Sequence, residues 1–294
     1  MFVQSVKDFL NLKNIDHLDT RTMPASNSQR DSEGYYLTKD IGHGLIVSGP
    51  EVNYLINMDG YRTKHFVPFD NSKNTILFAG CSWTFGEGLP NEYTWPYLVS
   101  EHFDNVDCYN IGYMGLSISH IIKNVYSFIR SYGKPKYLFI SFPDMQRNIY
   151  YSEKLQSYIK AYTSTLFIGS NDKDRERYTL EFIAENNLLL ATTQISALED
   201  YCEEAGIKLV WTSWVYGDYE IFKDLDFKFL MDPDTNFIQA NPSYSKSKDP
   251  YYPNVDNLPY WEEAADGAHP GTSWTKHISN KFIKEIGRVY EKKA

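Results

Sequence analysis

The sequence predicts a three-layer α/β/α sandwich with a short, mostly parallel sheet. Three observations predict it: short apolar runs bounded by polar residues or glycine, helix-periodic segments between those runs, and glycines placed where the helices should stop. Residues 1–34 are polar and mixed, which reads as a short helix followed by a loop from Pro24 to Gly34. From Tyr35 to Phe69, glycine and proline punctuate short β-like runs, GLIVSG and VNYLIN. Residues 1–73 therefore form a β-rich lead-in, and residues 74–294 form the α/β domain.

The run Thr75–Ala79 (TILFA) is apolar at every position but its first, as a strand covered on both faces should be. Cys108–Ile111, Tyr137–Phe142 and Ile207–Trp214 repeat the pattern. Between them, Ile118–Tyr132 puts Ile121, Val125, Phe128 and Ile129 on one helical face, and Leu180–Ala205 and Trp274–Tyr290 have similar spacing. Gly133 and Gly206 directly follow two of these helices. About 215–265, the rhythm breaks into a Pro-, Asp- and Asn-rich insertion dense in aromatics. Its aromatic content argues for packing or a ligand wall against disorder, with packing favoured.

Composition removes several function classes. Lys plus Arg is 29 against 38 Asp plus Glu, a net charge of −9 with no basic run, so neither nucleic acid nor an anionic membrane is an expected partner. No stretch of eighteen apolar residues occurs, and MFVQSVKDFLNLKN lacks the basic start and apolar core of a secretory leader. The expected location is the cytoplasm, although a virion-associated chain would read the same way. Cys81, Cys108 and Cys202 are scattered and odd in number, which disfavours a disulfide framework or a structural zinc site and suits reduced, mostly buried thiols. His43, His65, His102, His120 and His277 show no paired ligand spacing, so no metal is expected.

In open α/β sheets, ligands gather beyond the carboxyl ends of the strands. Gly80-Cys81-Ser82-Trp83-Thr84-Phe85-Gly86-Glu87-Gly88 follows the first run, Asn110-Ile111-Gly112-Tyr113-Met114-Gly115 the second, and Ser141-Phe142-Pro143-Asp144, then Arg147, the third. Asp266-Gly267-Ala268-His269-Pro270 precedes the last helix. A serine at a strand end can expose its hydroxyl and aim its own N–H at an oxyanion. An aspartate three residues before a histidine can hold the imidazole so that the other ring nitrogen serves as general base. Ser82, Asp266 and His269 thus make a nucleophile, an orienter and a base.

These blocks resemble the SGNH or GDSL hydrolases: GCSWTFGEG, NIGYMG and DGAHP, spread over residues 75–290, with NMDGYR (residues 57–62) similar to a segment often found upstream. The resemblance implies Ser82 as nucleophile, Asp266 and His269 completing the triad, and the Gly112 N–H joining that of Ser82 in the oxyanion hole, with no cofactor. Two positions depart from the pattern. Cys81 replaces the usual Asp before the serine, and SFPD replaces GxND, which puts Pro143 where the family has an oxyanion-donating Asn, or Asp144 if the register slips by one. Proline has no donor and an ionised Asp only accepts; loss of one such donor costs ~10²–10³-fold in rate. Asp144 and Arg147 are the remaining candidates to supply it.

The α/β-hydrolase elbow G-x-S-x-G is absent, since Thr84 stands two residues after Ser82. Cys81 is a stronger intrinsic nucleophile, but strand alternation turns it from the face Ser82 uses. The expected activity is hydrolysis of a carboxylic ester, with deacetylation of a glycan or another small acyl ester as the narrower expectation. A non-catalytic carbohydrate- or protein-binding module with a degenerate site is the rival, and acyl transfer to a sugar hydroxyl would use the same residues.

Overall fold

The computed structural model describes residues 36–39, 52–69, 74–152, 157–162, 173–233 and 269–291. Its centre is a four-stranded, all-parallel sheet: β3 (Asn74–Gly80), β4 (Val106–Asn110), β5 (Tyr137–Phe142) and β8 (Lys208–Ser213), in the spatial order β4-β3-β5-β8. Ile76 pairs with both Cys108 and Tyr137, and Gly80 with Ser141, so the carboxyl ends of β3 and β5 lie level. From β3 the chain goes first to one neighbour, β4, and then crosses to the other, β5. The crevice between β3 and β5 is therefore the switch point, where open parallel sheets bind ligands.

Strand alternation sorts the core into two layers. Leu77, Ala79, Leu138, Ile140, Leu209 and Trp211 face the layer of α3 (Ile118–Tyr132) and α4 (Lys173–Ala205). Ile76, Phe78, Tyr137, Phe139 and Val210 face α2 (Trp95–Ser100) and α6 (Thr272–Ile286). The latter two helices lock together: the Trp95 and Phe282 rings stack at 4.7 Å, and the Ser279 hydroxyl donates to the Trp95 carbonyl. Thr94 caps α2, its hydroxyl accepting from the Tyr97 N–H. The helix-stop glycines stand as expected: the Gly133 N–H closes on the Ile129 carbonyl and the Gly206 N–H on Glu203.

Several boundaries and elements differ from the sequence reading. β4 begins at Val106 and ends at Asn110, not over 108–111. α4 begins at Lys173, seven residues before the apolar spacing that revealed it, because its first turns are polar. Arg147 opens an antiparallel hairpin of β6 (Arg147–Ser152) and β7 (Ser157–Tyr162), strands without a counterpart in the sequence reading. In the aromatic insertion, α5 (Tyr216–Lys223) forms, and Tyr219, Phe222 and Phe229 are buried, which makes them packing residues. The rest of the insertion, 234–265, the first thirty-four residues and the run GLIVSG lie outside the described residues.

The lead-in contributes a hairpin of β1 (Tyr36–Lys39) and β2 (Asn53–Ile56). Val52, Tyr54 and Ile56 pack on Phe85 and Met114, directly beneath the segment that begins at Ser82. No helix among the described residues is long and apolar enough to cross a membrane.

Candidate active site

Ser82 opens the short helix α1 (Ser82–Phe85) immediately beyond β3 and is 6% exposed. As the first helical residue, its N–H has no intrahelical acceptor. Its carbonyl accepts from the N–H groups of Gly86 and Glu87, which folds the rest of the block back over α1. Cys81 is fully buried, and its sulfur accepts a hydrogen bond from Trp214 Nε1 at 3.2 Å, so the thiol is sealed into the core and is not a nucleophile for an outside substrate.

The second block is tied to the first by Asn110, whose amide donates to the Thr84 carbonyl and whose Oδ1 accepts from the Gly112 N–H, both at 2.8 Å. The Gly112 N–H is thus engaged in the resting protein, and serving an oxyanion requires sharing it. Position 112 needs glycine for room: a Cβ there would lie 2.8 Å from the Phe85 nitrogen and from Thr84 Cβ.

Beyond β5, Pro143 offers no donor, and the Asp144 carboxylate is spent on its own turn, with Oδ1 accepting from the Gln146 N–H at 2.7 Å. Asp218 of α5 takes the neighbouring Met145 N–H at 2.7 Å. Burial holds both carboxyls above the usual carboxylate range, Asp218 further than Asp144, with the charge of Asp144 adding to its shift. Arg147 reaches toward the site by another route. Its guanidinium carbon lies 5.3 Å from the centre of the Trp214 ring, and Trp214 stacks at 4.3 Å on Trp83, the residue after Ser82. Trp274 meets Trp83 edge-on at 4.7 Å. The three tryptophans form one buried wall behind Ser82.

His269 stands just before α6, and its Nε2 lies 3.5 Å from Oε2 of Glu87, with both side chains nearly buried at 11% and 7% exposure. The fold thereby carries the histidine from the far end of the chain to the loop that begins at Ser82. Asp266 lies outside the described residues.

Two residues without a role in the sequence reading hold this loop. Glu87 faces the imidazole. Arg62, in the NMDGYR segment, is 5% exposed and donates to the Phe85, Gly86 and Leu89 carbonyls at 3.3, 2.7 and 2.7 Å. Asn57 presents it: Oδ1 accepts from the Asp59 and Tyr61 N–H groups, bending the chain so that Tyr61 enters the core and Arg62 turns under α1. Gly88 is pinned in turn by the Tyr54 hydroxyl, which accepts its N–H at 2.6 Å. The one signal in the sequence was the place of Arg62 at the end of NMDGYR.

No protein-family model and no curated protein matches the chain. Among solved structures, it is similar to a protein assigned to the lipolytic G-D-S-L family from Desulfitobacterium hafniense, at 13% identity over 72% of this chain and 99% of that one, with a TM-score of 0.43. It is similar also to the psychrotrophic esterase EstA from Pseudoalteromonas, at 13% identity over 74% and 98% of the two chains, TM-score 0.41. A member of the lipolytic G-D-S-L family from Veillonella parvula matches at 15% identity over 72% and 97%, TM-score 0.37.

Proposed function

We propose that the chain is a serine hydrolase of the SGNH/GDSL kind that cleaves a carboxylic ester. The observation that carries this reading is the meeting of the His269 loop with the Ser82 loop at the switch point of the sheet, where Nε2 lies 3.5 Å from Glu87. Ser82 Oγ attacks the acyl carbon as His269 takes its proton, and Asp266 orients the ring from its other nitrogen. The N–H groups of Ser82 and Gly112 receive the oxyanion, the latter by sharing its bond to Asn110. The alkoxide leaves with the proton from His269, and water, activated by the same imidazole, releases the acid.

The substrate class we infer is an acetylated glycan or another small acyl ester. Ser82 is only 6% exposed, with the core tryptophans Trp83, Trp214 and Trp274 packed next to it, which supports a compact acyl group. Hydrolysis of p-nitrophenyl acetate and butyrate by the wild type, S82A and H269A tests the chemistry, together with fluorophosphonate labelling. Turnover and labelling that disappear in S82A bear it out. A folded wild type that neither turns over ester nor accepts the probe overturns it in favour of a binding module.

A further inference from the structure

The Glu87 carboxylate has no part in the chemistry above, yet it is kept inside the protein and beside the general base. Holding an ionised carboxylate away from water is costly unless cations or donors face it. One ring that can take up a proton faces it, and one arginine fixes the backbone around it. The imidazole of His269 lies 3.5 Å away, on the loop before α6. The Arg62 guanidinium, from the lead-in, grips the carbonyls on either side of Glu87, those of Gly86 and Leu89. The loop has little freedom to withdraw the carboxylate, because the Glu87 N–H is bonded to the Ser82 carbonyl and the Gly88 N–H to the Tyr54 hydroxyl.

We propose that Glu87 is a positioning residue whose carboxylate faces Nε2 of His269 and balances the charge the ring gains when it takes the serine's proton. The inference rests on the reading of Ser82 and His269 as nucleophile and base. In the acylation step the Oγ–H proton moves to Nε2 while Oγ bonds to the acyl carbon. The ring is then a cation next to the Glu87 carboxylate, and it becomes neutral again when that proton passes to the leaving alkoxide.

The test follows the His269 ring itself by NMR titration in the wild type, E87Q and E87D, alongside the pH dependence of p-nitrophenyl acetate hydrolysis. An opposite charge at this distance shifts a titration by roughly one to three units. E87Q is therefore expected to move the His269 midpoint down by roughly one unit or more, with the acid limb of kcat/KM following it and KM little changed. E87D, which keeps the charge one methylene further back, is expected to move it by a fraction of that. A midpoint in folded E87Q equal to that of the wild type overturns the inference; should E87Q not fold, a midpoint in E87D that is unmoved or moves upward overturns it. Because the titration needs no turnover, a wild type without activity or probe labelling would count against the esterase reading alone.

Discussion

Replacing Arg62 tests how the lead-in supports the candidate site. R62M keeps the aliphatic stem and removes the guanidinium that donates to the Phe85, Gly86 and Leu89 carbonyls. Hydrogen bonds to a charged group are worth ~1.5–3 kcal/mol each. The two 2.7 Å bonds dominate and the 3.3 Å bond adds little. Stacking of the guanidinium over Tyr54, 4.4 Å from the ring centre, contributes ~0.5–1 kcal/mol more. Against this, the methionine no longer carries a charge that must be stripped of water. The expected net loss is about 3 kcal/mol, read from urea unfolding followed by tryptophan fluorescence and far-UV circular dichroism with an unchanged m-value. R62K should recover less than half of the loss, since a point-like ammonium cannot fork to carbonyls at both ends of the loop. A loss in R62M below about 1 kcal/mol, or R62K as stable as the wild type, would refute this account of the loop.

Two further substitutions probe neighbouring contacts. G112A puts a Cβ 2.8 Å from the Phe85 nitrogen, so α1 or the NIGYMG turn must shift; we expect a loss of ~1–3 kcal/mol in thermal or urea unfolding and a ~10²-fold fall in kcat toward p-nitrophenyl acetate as the oxyanion donors separate. Wild-type values for both would contradict the close packing. D218N tests the buried carboxyl pair. The folded-state value of Asp218 is raised above that of the unfolded chain, so the folded state binds the extra proton, and ionising Asp218 weakens the wild type as pH rises through that interval. An asparagine can still accept the Met145 N–H. D218N should therefore be more stable than the wild type at pH 7, with the gain shrinking as pH falls toward 4. A gain that grows on acidification would reverse the sign and refute the assignment.

What the sequence determined by itself was local. Ile76 and Phe78 against Leu77 and Ala79 name two covered faces within one short run, because side chains alternate along a strand whatever it packs against. Gly133 and Gly206 mark helix ends because the stop is made by the chain's own carbonyls. The polar opening of α4 hid its start, since periodicity is visible only where a face is apolar. The parts of the candidate site that depend on distant partners were settled by the tertiary structure. Glu87 reads as an ordinary loop carboxylate until His269 is brought to it, and Arg62 as a surface cation until Asn57 bends it under α1. Asp144 and Arg147 were equal candidates along the chain; folding spent the first on the Gln146 N–H and set the second over Trp214. A short-range pattern carries its own geometry, whereas a buried charge takes its role from whatever the fold places within a few ångströms of it.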